Sequence, residues 1–162
     1  PVTGQQSGAG IMIQRKQSLF LLVVFVLSIV GAMLQVGNIE PSGMGVGDNV
    51  YSLCILHADG SRVYASFPLL VIYTLNGILS LATIFLFNNR KLQMKLCSLG
   101  IALMAIWYLA FAYLCVSVFP EAGTFHPSFS VCLPVVCLIL YVMAHAGINK
   151  DEKLVRSMDR IR

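Results

Sequence analysis

Four stretches of the chain are almost wholly apolar, and shorter polar or glycine-rich segments separate them. They cover residues 18–36, 68–87, 96–119 and 129–146. A helix that crosses a hydrocarbon core of roughly 30 Å needs about 20 apolar residues, so each stretch has a suitable length. Pro68 and Pro127 stand where helices should begin, and Pro120 stands where one should end. The pattern predicts an all-α membrane protein built as a four-transmembrane-helix bundle.

The loop of residues 37–67 is the largest segment between the spans. It begins with glycine-rich, irregular sequence and ends in VYSLCILHADGSRVYASF, where β-branched and aromatic residues flank Asp59 and Gly60. Asp-Gly is a strong signal for a two-residue type I′ turn. We therefore predict a small β-hairpin in which Leu56 faces Val63. The second loop on this side, PEAGTFHPSF, is too short for a fold of its own.

The two ends of the chain differ in character. Residues 1–11 are polar, small and aperiodic, and we assign them to a tag or upstream extension without regular structure, which leaves residues 12–162 as one membrane domain. Residues 147–162 form a charged tail in which apolar residues recur at helical spacing. The tail predicts an amphipathic helix that lies on lipid or docks on a partner protein, through Lys153, Leu154, Arg156, Met158, Arg160 and Ile161.

The charged residues give an orientation. Only 11% of the residues are charged whereas 57% are hydrophobic, and soluble domains carry about 25% charged residues. Of the 11 Lys and Arg residues, all but Arg62 fall on one side of the predicted bundle. The positive-inside rule then places both termini in the cytoplasm and the hairpin outside the cytoplasmic (inner) membrane. Carboxylates interspersed in the basic tail argue against nucleic-acid binding.

The two ends of this domain also resemble a known family. The opening MIQRKQSLFLL, the four spans with a hairpin-bearing first loop, and the closing KDEKLVRSMDRIR are similar to the four-helix membrane proteins of Bacteroidota grouped as domain of unknown function 4293. The resemblance runs from Met12 to Arg162. It implies a cytoplasmic-membrane protein, and it brings no catalytic residues to this sequence.

Cysteines are the first candidates for chemistry. The five cysteines include no C-x-x-C pair, which quinone-coupled thiol enzymes require beside the quinone. Cys54, Cys115 and Cys132 nevertheless share the outer side of the predicted membrane, and Cys115 with Cys132 is the candidate disulfide. A zinc site or a membrane haem needs converging ligands that this sequence does not provide. His57 and His126 share the outer side, and we interpret them as solvated loop residues rather than metal ligands.

The second span carries polar residues at helical spacing: Tyr73, Asn76, Ser80 and Thr83. Such a stripe either lines a wet groove or joins neighbouring helices, and packing is the more frequent role. The middles of the spans contain no Asp, Glu, Lys or Arg, which argues against a proton or ion relay.

These observations favour a non-enzymatic scaffold, accessory or interaction subunit. The alternative is a binder or carrier of a lipid or other apolar small molecule within the bundle, and a thiol-disulfide oxidoreductase is third. We expect membrane lipid as a contact, together with a membrane-protein partner or a second copy of the chain. We expect no metal and no cofactor.

Overall fold

The computed structural model describes the backbone of residues 6–160 and the side chains of residues 16–160. The described part is mostly helical and carries one small sheet. Its helices are α1 (Gln6–Met33), α2 (Phe67–Phe85), α3 (Arg90–Ser117), the short α4 (Phe119–Ala122) and α5 (Leu133–Asp159). The four helices other than α4 are long and apolar enough to cross a membrane.

Proline and asparagine fix where the helices begin. Pro68, Pro120 and Pro134 each occupy the first turn of a helix, where the absent N–H leaves no hydrogen bond unmade. Asn89 caps α3 through its side chain, which accepts a hydrogen bond from the backbone N–H of Leu92 at 3.3 Å. A tight turn between α2 and α3 then makes these two helices antiparallel neighbours.

The long helices pack in a ring in which α1 and α3 each contact both α2 and α5. Large side chains fill the interior, and Trp107, Tyr73, Tyr141, Leu21 and Met104 are almost completely buried. We name the two ends of this bundle by their contents. The sheet end carries the sheet, and the charged end carries the start of α3 and the end of α5.

The sheet is five-stranded and antiparallel, in the order β4-β3-β2-β1-β5. Four strands come from the first loop: β1 (Gln35–Glu40), β2 (Asp48–Tyr51), β3 (Ile55–Leu56) and β4 (Arg62–Val63). The fifth, β5 (Thr124–Pro127), comes from the second loop and pairs with β1. We expected a hairpin and a second loop too short for a fold of its own, and the sequence did not predict that this second loop adds a strand to a shared sheet. The paired loops satisfy backbone groups that each loop by itself would leave open.

The turn between β3 and β4 also differs from the prediction. Ile55 pairs with Val63, and Leu56 pairs with Arg62, which shifts the register by one residue. The His57 N–H also donates to the Ser61 carbonyl at 3.0 Å, so the loop holds the three residues 58–60, and Gly60 supplies the positive φ of +85° that closes it. A type I′ turn needs a positive φ at both central residues, and Asp59 does not adopt one.

Both chain ends also depart from the predicted boundaries. Helix α1 begins at Gln6, inside the segment that we assigned to an unstructured extension, and residues 1–5 lie outside the described residues. It ends at Met33, so that Val36 belongs to β1 rather than to the first span. Helix α5 runs unbroken from the fourth span to Asp159. As far as Asp159 the tail is thus a continuation of that span rather than a separate amphipathic helix, because residues 146–159 contain no proline to end the helix.

Candidate functional site

A chain of buried hydrogen bonds crosses the middle of the bundle. Asn76 on α2 donates from Nδ2 to the Ser28 hydroxyl of α1 at 2.7 Å, and the Tyr141 hydroxyl of α5 donates to Asn76 Oδ1 at 2.8 Å. The Ser28 hydroxyl in turn donates a hydrogen bond to the carbonyl of Val24 at 2.8 Å. One asparagine therefore joins three helices, and we call Ser28, Asn76 and Tyr141 the polar core.

Further polar contacts continue from the polar core towards the charged end. The Ser80 hydroxyl donates to the Leu21 carbonyl of α1 at 2.5 Å. Gln93 of α3 donates to the Thr83 carbonyl at 3.3 Å. At the charged end itself, Gln17 Nε2 donates to Asp151 Oδ2 at 2.6 Å. Each of these bonds joins two different helices, so together they fix the ring of helices along much of its length.

The predicted stripe on α2 lies inside the bundle. Tyr73, Asn76, Ser80 and Thr83 are all buried. Asn76 and Ser80 bond to α1, whereas Thr83 donates to the Leu79 carbonyl of its own helix at 2.7 Å. For Asn76, Ser80 and Thr83 the geometry favours the packing interpretation, because their side chains bond to helix groups.

Two glycines let tyrosine rings reach the interior. A Cβ on Gly100 of α3 would overlap the ring of Tyr141, and a Cβ on Gly31 of α1 would overlap the ring of Tyr73. The absence of a side chain at Gly100 brings α3 and α5 close together and places the Tyr141 hydroxyl against Asn76. Small residues commonly permit such close approach between membrane helices.

An aromatic cluster fills the space between the polar core and the sheet. The Trp107 ring stacks on Phe111 with centroids 5.4 Å apart and lies 5.5 Å from the Tyr73 ring. Tyr108 directs its hydroxyl to the Val131 carbonyl at 2.7 Å. Within the described residues, Trp107 Nε1 is the one buried side-chain nitrogen or oxygen that has no hydrogen-bond partner. The cluster packs α3 against α2 and the start of α5.

A groove with a volume of about 320 Å³ runs along the surface between α1 and α2. Its walls are mostly apolar, and Phe25, Ile29 and Ile78 contribute to them. Ser28 and Tyr73 form part of the lining, so the groove reaches the polar core from one side. A site of this kind suits an apolar chain that ends in one hydrogen-bonding group.

A second cleft, of about 340 Å³, lies between α3 and α5 at the charged end. Its lining includes Lys91, Lys95 and Arg156, together with Glu152 and His145. The Glu152 carboxylate accepts a hydrogen bond from Arg156 Nη2 at 2.7 Å. We call this the charged cleft, and its cationic side chains outnumber its single carboxylate.

Comparison with protein families gives one match. The model of the family described as Domain of unknown function (DUF4293) matches residues 13–161. The chain belongs to the DUF4293 family. No curated protein matches it at a significant level. The resemblance of its end motifs to this family is therefore confirmed, and the family assigns no activity to the sites described above.

Two buried cysteines of this DUF4293 member, Cys97 and Cys137, lie near Tyr141 of the polar core. All five cysteines are free thiols, with Cys54, Cys97 and Cys137 buried, Cys115 half-buried and Cys132 exposed. A disulfide between Cys115 and Cys132 is not formed in the structure and stays a prediction. Mass mapping of the oxidised protein without reductant tests it.

The loop histidines have separate acidic neighbours. His57 Nδ1 lies 2.7 Å from Asp48 Oδ2, and His126 Nε2 lies 3.5 Å from Glu40 Oε2. Among the described residues, no group of three or more His, Cys, Asp and Glu is arranged to hold a metal ion.

The predicted surface helix is the exposed last part of α5. Leu154, Arg156 and Met158 are exposed there, as are Lys153 and Arg160, whereas Ile161 lies outside the described residues. Sequence reasoning missed Ser28, Gly100 and Tyr141, although a tyrosine within an otherwise apolar span is a usable signal for a buried hydrogen bond. It also missed the charged cleft, because we used Lys91 and Lys95 only to assign the orientation of the bundle in the membrane.

Proposed function

We propose that this chain is an integral protein of the cytoplasmic membrane that acts as a scaffold or accessory subunit without enzymatic activity. The observation that carries this proposal is the sheet built from both loops on one side of the bundle. Pairing of β1 with β5 turns two connecting segments into a single folded platform at the end of the helices. A platform of this kind offers a defined surface to another protein.

The apolar tip of this platform supports a binding role. Met44 and Val46 lie in the loop between β1 and β2, and both side chains are exposed. Neither belongs to a span, so the membrane does not account for them. Exposed apolar side chains away from lipid are frequent at contacts with partner proteins.

Purification with matched variants tests the scaffold proposal. We expect affinity purification in mild detergent to recover a partner at a stoichiometric ratio, and M44S/V46S to lose it. The control, L154S/M158S, changes two exposed apolar residues at the charged end and should keep the partner. Retention by M44S/V46S, or absence of any stoichiometric partner, would contradict the proposal.

We further propose that both termini are cytoplasmic and the sheet is extracytoplasmic. The support is the distribution of Lys and Arg: among the residues that the structure describes, all but Arg62 lie towards the charged end. A cysteine-free version that carries either S61C or S157C tests this in intact cells. An impermeant maleimide should label the cysteine at position 61 and leave the one at position 157 unlabelled. The reverse labelling would overturn the orientation.

The groove between α1 and α2 favours a second candidate, the binding of a lipid or other apolar small molecule. Its volume of about 320 Å³ lies at the lower limit of ligand sites, which occupy about 300–1,000 Å³. Thr74 lines the groove and is exposed, so T74W would fill it without entering the bundle interior. The control L75W places the same ring at a neighbouring exposed position outside the groove. Mass spectrometry of co-purifying lipid should show loss in T74W and retention in L75W; equal lipid in both variants would exclude this role.

A further inference from the structure

The charged cleft has the composition of an anion site. Lys91 and Lys95 lie one turn apart on α3 and face Arg156 across the cleft. Among the described residues, neither lysine has a carboxylate within ion-pair distance. The one acidic side chain of the cleft, Glu152, is already occupied by Arg156. The remaining positive charge therefore lacks a counter-ion from the protein.

The ion pair also orients the arginine. The side chain of Glu152 is only 15% exposed, whereas that of Arg156 is 68% exposed. A mostly buried carboxylate thus holds one guanidinium nitrogen of the exposed Arg156. Guanidinium groups match the oxygen geometry of phosphate, and lysines add point charges beside it.

The position of the cleft along the bundle corresponds to the level of the membrane surface. From Ser98, which lines the cleft, to Ser117 at the end of α3, a helix rises about 28 Å, close to a hydrocarbon core of roughly 30 Å. Lys91 and Lys95 precede Ser98 and so lie at the level of lipid headgroups. A cleft at this level is open to a lipid from the side.

The helix faces next to the cleft are suited to acyl chains. On α3, Ile106 and Leu109 follow Lys95 along the same stripe and are exposed. On α5, Val142 lies one turn before His145 and is also exposed. A ligand with a charged head and an apolar chain therefore meets complementary surface at both ends, whereas a free anion uses only the charged part.

We propose that the charged cleft binds the phosphate group of an anionic membrane lipid. Lys91, Lys95 and Arg156 contact the phosphate, and the acyl chains lie along α3 and α5. Basic pockets between transmembrane helices bind lipid headgroups by this chemistry. The proposal does not depend on the scaffold role, because the site lies at the opposite end of the bundle from the sheet.

Titration of the full chain in neutral detergent tests this site. The probes are dioctanoyl phosphatidylglycerol, dioctanoyl phosphatidylcholine and inorganic phosphate, and native mass spectrometry measures occupancy. We expect phosphatidylglycerol to bind more tightly than phosphatidylcholine, and inorganic phosphate at equal concentration to leave it bound. Equal binding of the two lipids would overturn the proposal. Displacement by inorganic phosphate would show a free-anion site instead and overturn the assignment to lipid.

Variants that remove the same charge at different positions distinguish binding in the cleft from general electrostatic attraction to the basic end of the chain. K91Q/K95Q should weaken phosphatidylglycerol binding about 25-fold, since each basic residue near an anionic lipid contributes about fivefold to the binding constant. The control K150Q/K153Q removes the same charge from exposed positions of α5 outside the cleft and should change affinity less than about twofold. K91R/K95R should retain binding. Equal losses in the two glutamine variants, or loss in K91R/K95R with unchanged thermal stability, would exclude the cleft.

Discussion

The sheet and the polar core connect distant parts of the chain by different means. In the sheet, Gly37 to Glu40 pair with Thr124 to Pro127 through the backbone, so the pairing itself uses no side-chain group. In the polar core, three helices meet through the side chains of Ser28, Asn76 and Tyr141. We therefore expect a substitution to destabilise the sheet when it changes backbone geometry. We expect a substitution to destabilise the bundle when it removes a side-chain hydrogen-bond partner or fills space that a neighbouring side chain occupies.

The strongest test of this contrast is G123A, at the turn into β5. Gly123 has φ +147° and ψ −152°, a region that side chains essentially exclude, and a Cβ there would overlap the carbonyl oxygen of Glu40. We expect a loss of about 3 kcal/mol in the local stability of β5, measured by amide hydrogen exchange. The control G43A has open space around its Cβ and should be neutral. Unchanged exchange in G123A would show that the sheet does not depend on this backbone geometry.

Next in size is G100A, which places a methyl group against the Tyr141 ring. Moving the ring separates its hydroxyl from Asn76, and overpacking of this kind costs about 2 kcal/mol of unfolding free energy. The control G77A meets only ordinary contacts, the nearest being 3.7 Å from Ser28 Cβ, and should be neutral or slightly stabilising. Equilibrium unfolding in mixed micelles measures both variants. A neutral G100A would disprove the close packing of α3 on α5.

Removing the central amide is expected to have a smaller effect. N76L keeps the approximate volume but leaves the hydroxyls of Ser28 and Tyr141 without their shared partner. We expect a loss of about 1.5 kcal/mol in the same unfolding assay. The control T74V removes an exposed hydroxyl that bonds only to Leu70 of its own helix, and it should be nearly neutral. Equal effects of N76L and T74V would mean that the polar core does not join the helices.

The smallest expected effect comes from removing a side-chain contact within the sheet while the backbone pairing stays unchanged. Asp48 lies 2.7 Å from the ring nitrogen of His57 and accepts from the Ala58 N–H at 3.1 Å. D48A should lower the local stability of β3 and β4 by about 1 kcal/mol, seen as faster hydrogen exchange, and leave β5 unchanged. The charge-matched control E121A should leave exchange in β3 and β4 as it is. Faster exchange throughout the sheet would indicate that this carboxylate supports more than one turn.

The helices were predictable because their signal is local. About 20 apolar residues in sequence define a span whatever lies elsewhere in the chain, and prolines mark the starts. The stripe on α2 was visible for the same reason, since its residues recur within one helix. Which helix each residue bonds to depends on the ring order, and no single segment records that order. The role of Tyr141 as a partner of Asn76 was therefore beyond the sequence.

The sheet was predicted only where its signal was local. Asp59 and Gly60 marked a turn, but of these two residues only Gly60 has a positive φ. The loop is therefore one residue longer than the predicted two-residue turn. β5 is four residues long and pairs with a strand that two long helices, α2 and α3, separate from it in sequence. Such a short segment carries no pattern of its own, and only the position of the helix ends brings it beside β1.

The pairing of β1 with β5 sets an order of events during synthesis. Glu40 leaves the ribosome long before Thr124, its partner in the finished sheet. At about 5–20 residues per second, the edge of β1 stays unpaired for on the order of ten seconds while α2 and α3 are synthesised. During that interval the edge is open to chaperones, to neighbouring nascent chains and to β1 of another copy. In the topology that we propose, the sheet can therefore be completed only after α3 has crossed the membrane and its following loop has reached the side that holds β1.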